Sequence, residues 1–386
     1  MQNLKSNIWK FFIYQLTLRR NYITILSIYF LTLPNTTANM IGLYTGIGNI
    51  VAFFLEIPSS YFADRFGHKK TLILAKFLLL FSTLSFIFIQ NFYGFVLGST
   101  FLSVSFAFSS GTTSAFFHET LEGLGRVKEY SKLLGRIRGN VSLLSMFFII
   151  ALPFLTTINI ILPLIVGLFF DIFGLIISFT LVNPKTNLKL NGKKIKSIFT
   201  IFLEAKKLNF LPFAVFVGAI AGFSMGDSPF RYIYLESLAY PVVLMGFVMG
   251  LSRLVWFIVA RYAYLIEEHF TMKQHLFFEI LFFPSAFLLM AFFSNPYLVA
   301  FFSIIFVGYM FGRSQVIESY IFKNHISDKN YKATILSIKS QFTLFFQFLV
   351  PLSIAYFMNS SFKLGYTILG ISLFLILLIS FFYIKK

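Results

Sequence analysis

The chain has 386 residues, 58% of them hydrophobic and only 12% charged, with a mean hydropathy of +0.81. That balance excludes a water-soluble globule and makes the bilayer the solvent. A net charge of +18 would suit a nucleic-acid binder if the cations were not confined to alternate loops, and the lack of cysteine excludes disulfides, iron–sulfur clusters and cysteine-ligated zinc.

The first ten residues are polar, and the apolar stretch after them has no small-residue cleavage site, so it reads as a retained span rather than a signal peptide. A hydrocarbon core about 30 Å thick takes roughly 20 apolar residues per helix. On that measure the spans fall at 9–33, 39–61, 71–90, 93–118, 135–156, 158–182, 209–234, 240–264, 275–294, 296–322, 334–358 and 361–384. Arg65, Lys69 and Lys70 follow span two, and Arg126, Lys128 and Lys132 follow span four. Lysines from Lys185 to Lys207 follow span six, Lys273 follows span eight, and Lys323, Lys329 and Lys332 follow span ten. The alternate loops hold only Lys363, which places both termini in the cytoplasm and requires an even number of spans. Asn35 and Asn359 open N-x-S/T sequons in outer loops and read as chance matches in an Asn-rich chain.

The longest connection divides the chain into residues 1–182, a six-helix bundle; 183–208, a basic cytoplasmic linker; and 209–386, a second six-helix bundle. Within the linker, Ile195, Ile198, Phe199 and Phe202 with Lys194, Lys196, Lys206 and Lys207 make an amphipathic helix suited to anionic headgroups. The halves echo each other. Tyr130, Leu134, Ile137, Arg138 and Asn140 open span five, and Tyr331, Ile335, Ile338, Lys339 and Gln341 open span eleven with the same spacing. Gly42 and Gly46 match Gly246 and Gly250, and Gly94 and Gly98 match Gly308 and Gly312, pairs that let helices approach closely. The expected fold is an all-α membrane protein of twelve transmembrane helices in two pseudo-symmetric six-helix bundles.

After span two the chain reads Ser60-Tyr61-Phe62-Ala63-Asp64-Arg65-Phe66-Gly67-His68-Lys69-Lys70. Gly67 permits a tight turn, the cations hold the loop at the inner leaflet, and an acid there can cap a neighbouring helix N-terminus. The segment resembles the signature loop of the major facilitator superfamily, G-x-x-x-D-R-x-G-R-[KR], with Ser60 and His68 departing from it. Glu56-Ile57-Pro58, Ser110-Gly111, Ser114-Ala115, Glu119-Thr120-Leu121, Gly125-Arg126, Glu129-Tyr130 and Lys332 to Ser337 resemble its bacterial drug-efflux-like branch, over essentially the whole chain. The resemblance implies the major facilitator fold, with alternating access between two bundles and spans one, four, seven and ten lining a cavity. It also implies a conformational latch of Asp64, Arg65, Gly67, Lys69, Lys70 and Glu119, in which Asp64 caps span eleven near Ala333 and Arg65 pairs with Glu119. The second-half loop from Arg261 to Lys273 is degenerate, so no symmetric latch is expected. That branch often carries an acid where Thr113 stands, which weighs against a pocket for cationic drugs.

Charges inside spans cost about 2.5–3.5 kcal/mol each on insertion scales and so point to function. Here they are Arg19, Arg20, Asp171, Asp227, Arg231, Arg253 and Arg313, with Glu56 and Glu318 nearer the cytoplasmic ends. Asp227 and Arg231, four apart, either neutralise each other or leave Asp227 to carry a proton. Asp171, Glu56 and Glu318 are the other proton-coupling candidates, although the supporting position of span six favours a structural role for Asp171. Arg19, Arg20, Arg231 and Arg313 outnumber the acids at their depth. With Thr113 and Gln315 they are substrate-cavity candidates, suited to an anionic or zwitterionic molecule. The competing reading has Arg19 or Arg20 snorkelling, or pairing with Asp171 or Glu318. All five histidines fall at the inner margin, so no midplane histidine relay is expected.

No catalytic cluster, metal-ligand set or P-loop stands out, so neither an enzyme nor a cofactor is expected and the proton gradient is the energy source. The expectation is a secondary transporter that exports a small amphipathic, anionic or zwitterionic molecule against protons, with an importer as the alternative. A membrane-embedded enzyme or lipid-handling protein is the less favoured third. Its setting would be the bacterial cytoplasmic membrane, as a multi-pass monomer with substrate, protons and lipids as partners and no nucleic acid.

Overall fold

The computed structural model describes residues 2–184, 210–324 and 332–384. Its regular structure is helical, and the chain divides into two compact units, Met1–Thr36 with Ile47–Ile195 and Thr37–Gly46 with Lys196–Lys386. The helices of the first half are α1 (Gln2–Lys5), α2 (Asn7–Thr17), α3 (Ile23–Leu31), α4 (Ala38–Phe66), α5 (His68–Phe88), α6 (Phe92–Ser109), α7 (Thr112–Gly123), α8 (Tyr130–Ala151) and α9 (Leu162–Thr180). Those of the second half are α10 (Leu211–Gly226), α11 (Ser228–Ser237), α12 (Met245–Arg261), α13 (Ala263–His269), α14 (Met272–Phe292), α15 (Pro296–Gly312), α16 (Ser314–Asn324), α17 (Lys332–Ser360) and α18 (Phe362–Tyr383). Most of the expected linker, its amphipathic helix included, lies outside the described residues, as does Tyr331 of the repeat echo.

Ten helical segments among the described residues are long and apolar enough to cross a bilayer, or eleven if the bent pair α10 and α11 is one span. The remainder of the expected twelve is the region of span one. It is divided between α2, of 11 residues, and α3, of 9, because the backbone from Leu18 to Tyr22 leaves the helix. Either piece alone is too short to span a core about 30 Å thick at 1.5 Å per residue.

Three further spans are also interrupted. Between α6 and α7 Gly111 adopts φ +39°, a left-handed setting that glycine takes without a Cβ penalty. Between α10 and α11 the axis bends by 45° at Asp227, two residues before Pro229, which lacks the N–H a continuing helix would use. Between α15 and α16 the joint is Arg313. These interruptions fall at the first and fourth spans of each half, so the repeat read from sequence has a backbone counterpart.

The core of unit 1 joins α2, α5, α7 and α8 through Phe11, Tyr14, Leu72, Leu79, Phe117 and Ile137, with the Phe11 and Phe117 rings stacked at 4.6 Å. Without a hydrophobic drive between helices in lipid, cross-helix hydroxyls add ties of about 0.6 kcal/mol each. Ser82 donates to the Gly98 carbonyl at 2.7 Å, Ser105 to Ala75 at 2.7 Å and Ser59 to Ala107 at 2.9 Å. The matched glycine pairs do not face matched neighbours: Gly98 makes room for Phe86 of α5, whereas Gly308 and Gly312 make room for Val255 and Val259 of α12.

Candidate functional site

A break in a membrane helix frees backbone carbonyls that no water satisfies. At the break of span one Arg20 answers this: its Nη2 donates to the Thr17 carbonyl at 3.1 Å. Its charge is met by Asp171 of α9, with Nη1 donating to Oδ2 at 2.9 Å and Nη2 donating to Oδ1. Thr83 of α5 donates to Asp171 Oδ2 at 2.6 Å, and the Tyr22 hydroxyl lies 2.9 Å from the Thr83 oxygen. Lys76, also of α5 and fully buried, donates to the Thr17 hydroxyl at 2.7 Å and lies 4.7 Å above the Tyr14 ring. Gly174, one turn beyond Asp171, leaves the space this needs, since a Cβ there would collide with the Thr17 hydroxyl and the Lys76 amine. The cluster thus gathers two basic side chains and one carboxylate from three spans.

Unit 2 repeats the device at the bend of span seven. Arg231 Nη2 donates to the Ser224 carbonyl at 3.0 Å, in the last turn of α10, and also meets Asp227 Oδ1. Its Nε donates to Asp227 Oδ2 at 3.2 Å, and both side chains are buried. The pair lies four residues apart on one span. At the joint of span ten Arg313 Nη1 donates to Glu279 Oε2 of α14 at 2.6 Å, with its guanidinium 5.2 Å from the Phe283 ring. His275 Nε2 stands 3.4 Å from the other Glu279 oxygen and 2.8 Å from the Tyr309 hydroxyl.

Arg20, Arg231 and Arg313, expected to face substrate, are therefore each buried against a carboxylate. Arg19 is half-buried, within electrostatic reach of exposed Arg138 on α8, and neither has a carboxylate partner among the described residues. Arg138 Nη2 donates to the Ser114 hydroxyl of α7 at 3.5 Å. Thr113 is half-buried, and Gln315 and Glu318 are exposed. Glu56 is half-buried and accepts from Ser110 at 3.2 Å.

In the loop after α4, Gly67 takes φ +92° and opens α5. The side chain of Asp64 lies outside the described residues. Glu119 does not meet Arg65, its expected partner; its Oε1 lies 3.1 Å from His68 Nε2, while exposed Arg65 sits 5.6 Å from the Phe66 ring. His68 opens α5 and is buried, which brings it to α7, whereas Arg65 projects outward from the last turn of α4. Lys69 is half-buried and Lys70 exposed. Outside the spans, Arg126 donates to both Glu129 oxygens at 2.7 and 2.6 Å, and this holds the Glu129 carboxyl below the usual carboxylate range.

Sequence reasoning missed Lys76, Glu279 and Arg138. Lys76 was masked by the lysines of the preceding loop and Glu279 by its nearness to the start of span nine. The signal for Glu279 was present, since His275 and Glu279 are four apart in an apolar run.

Apolar spans broken beside buried, paired charges define a polytopic helical membrane protein. The Major Facilitator Superfamily model matches residues 12–338, and the chain belongs to that superfamily. A structure of the nucleoside transporter NupG is similar with TM-score 0.78 and 14% identity, covering 100% of both chains. One of a POT family transporter in complex with 5-aminolevulinic acid gives 0.71 and 12%, over 97% of this chain and 95% of that one. One of the peptide transporter POT in complex with sulfate gives 0.70 and 12%, over 97% and 93%. At such identities the likeness concerns the fold. No curated protein sequence matches this one.

Proposed function

We propose that this protein is a proton-coupled secondary transporter, working by alternating access, for a small solute that carries an anionic group. The observation that carries this reading is the pair Arg19 and Arg138, a half-buried and an exposed cation of unit 1 with no carboxylate partner among the described residues. The buried arginines already have their acids, so these two are left for a carboxylate or phosphate of the substrate, which a guanidinium grips with two parallel hydrogen bonds. A zwitterion or an amphipathic acid fits, and the transporter bound to 5-aminolevulinic acid is one fold relative that holds such a molecule. We place it in the bacterial cytoplasmic membrane with both termini inside, on the loop distribution of Lys and Arg.

Outward movement is the reading supported by the drug-efflux-like segments around Glu56, Asp64 and Glu119. The likeness to nucleoside and peptide transporters favours uptake as the second reading. The test is accumulation of a chemically varied panel, including carboxylates, phosphates, zwitterions and cations, in efflux-deficient bacteria with and without the protein and a protonophore. Lower accumulation of anionic or zwitterionic compounds, reversed by the protonophore and by Arg19→Gln or Arg138→Gln, is the expected result. Higher accumulation makes it an importer. A response confined to cations, or one indifferent to both arginines, overturns the substrate class.

A further inference from the structure

The cluster on spans nine and ten is more than a tie for Arg313. His275 and Glu279 lie on one face of α14, four residues apart, with side chains 3% and 0% exposed. Tyr309 and Arg313 lie on the facing span, and the four line up in one continuous row: the Tyr309 hydroxyl is 2.8 Å from His275 Nε2, His275 Nε2 is in ion-pair range of Glu279 Oε1 at 3.4 Å, and Arg313 Nη1 donates to Glu279 Oε2 at 2.6 Å. Three buried polar atoms of this row, His275 Nδ1, Glu279 Oε1 and Arg313 Nε, have no hydrogen-bond partner among the described residues. An unpaired polar atom in a dry interior costs about 1–3 kcal/mol, and a bound proton or a water molecule is what can pair these three.

The charge count points the same way. With neutral histidine, Arg313 and Glu279 sum to zero; one added proton makes the site cationic. Imidazole is the side chain whose ordinary titration already falls near neutral pH. The other charged or ionisable groups in reach are Tyr320 of α16, whose ring lies 5.7 Å from that of His275, and Lys339 of α17, which is within electrostatic reach of Arg313 and Glu318. Span twelve also packs on α14, but its Lys363 binds Ser294 at 2.6 Å, its Tyr366 lies against Tyr234, and its Tyr383 is exposed.

We infer that His275, Glu279, Tyr309 and Arg313 form the proton-binding site of this transporter, in place of Asp227, and that Arg313 conveys its state to the joint of span ten. The inference rests on the proposed proton coupling. One proton from water binds between His275 Nε2 and Glu279 Oε1 and later returns to water; nothing is oxidised. When it rests on Glu279 the carboxyl no longer holds Arg313 by charge. Arg313 is itself the residue between α15 and α16, its N–H bonded to the Tyr309 carbonyl at 2.9 Å and its carbonyl to Ile317 N–H at 3.1 Å. Freeing its side chain loosens the joint it occupies.

The molecule carries its own reporter. Trp256 of α12 lies against Phe311 with ring centroids 5.4 Å apart, two residues before Arg313, and Trp9 is the other tryptophan. The experiment is a fluorescence titration of the full-length Trp9→Phe protein in lipid nanodiscs from about pH 5 to pH 9, the window in which histidine titrates. The expected result is a one-proton transition that disappears in His275→Gln and Glu279→Gln and persists in Asp227→Asn and His269→Gln. Tyr309→Phe, which keeps the ring packing, should retain the amplitude and move the midpoint by at least about half a pH unit, near a threefold change in proton affinity. It guards against variants that fail to fold. No transition in the parent, a transition lost in Asp227→Asn, or an unmoved midpoint in Tyr309→Phe overturns the assignment. Because the titration needs no substrate, its failure is distinguishable from failure of the accumulation assay.

Discussion

The first span of each half is broken, and in both an arginine at or just past the break donates to a carbonyl of the preceding helix: Arg20, within the break, to Thr17 and Arg231, beyond the bend, to Ser224. The two arginines are neutralised in different ways. Arg20 reaches to Asp171 on α9 with help from Thr83 on α5, so its pair fastens three spans together. Arg231 finds Asp227 four residues back on its own span, so its pair fastens the bend to itself. The comparison teaches that one local problem, a guanidinium buried to cap a broken helix, admits a tertiary solution and a local one. The tertiary solution makes unit 1 depend on a single carboxylate, and the local one leaves span seven free to carry its bend as a rigid piece.

The sharpest way to break this comparison is Asp171→Asn. It leaves Arg20 buried beside Lys76 with no anion, and stripping one partner from a buried ion pair costs about 3–5 kcal/mol. Thermal unfolding in nanodiscs should show that loss, and the double variant Arg20→Met with Asp171→Met should recover most of it, since apolar replacements of a whole buried pair are near neutral. Unchanged unfolding in Asp171→Asn would make the cluster an ornament of the bundle.

Asp227→Asn should cost less, about 3 kcal/mol, the lower end of the range for a buried pair stripped of one partner, because Arg231 keeps the Ser224 carbonyl and the face of the Phe306 ring at 5.6 Å. Its effect belongs in transport, through a looser bend. Equal losses in Asp171→Asn and Asp227→Asn, measured side by side, would erase the distinction between the tertiary and local solutions.

A third probe asks how tightly unit 1 is built around its cluster. Gly174→Ala drives a methyl group into the Thr17 hydroxyl and the Lys76 amine, and overpacking of this kind costs about 1–3 kcal/mol. Gly139→Ala on α8 meets nothing within 4 Å and should stay within about 0.5 kcal/mol of the parent. Comparable unfolding temperatures in the two variants would mean that the packing around Gly174 yields easily.

The spans and the superfamily loop were legible because hydropathy over some 20 residues and the turn at Gly67 are local properties. The spacing of Asp227 and Arg231 was legible for the same reason. The partners of Arg20 and Arg313 were not fixed in that way. Asp171 stood among the alternatives for Arg20, but Glu279 did not for Arg313, because which span packs on which is set by tertiary contact and leaves no period in the sequence. The break in span one went unseen since no Gly or Pro marks Leu18 to Tyr22; the backbone departs from the helix where Arg20 can be satisfied from α9. For Glu119 the slip was short, from Arg65 to His68, but it crosses the turn at Gly67 and so exchanges one helix for another.

The smallest expected effect lies outside both clusters, in the turn before α8, and it tests whether exposed ion pairs share the role of buried ones. Glu129 is held below its ordinary value of 4.5 by two hydrogen bonds from Arg126. A carboxyl depressed in the folded state contributes stability that is complete above its unfolded value and lost as pH falls through the folded one. The turn should therefore be fully braced at neutral pH and loosen only in acid, below the ordinary glutamate range. Amide exchange at Glu129, whose N–H bonds to the Arg126 carbonyl at 3.0 Å, reports it locally. Relative to Glu129→Gln, which has no charge to lose, the parent should exchange more slowly at pH 6 and converge with the variant in acid. A gap that persists in acid would assign the bracing to the backbone turn instead of the ion pair, and the contrast between solvated and buried pairs would then rest on the clusters alone.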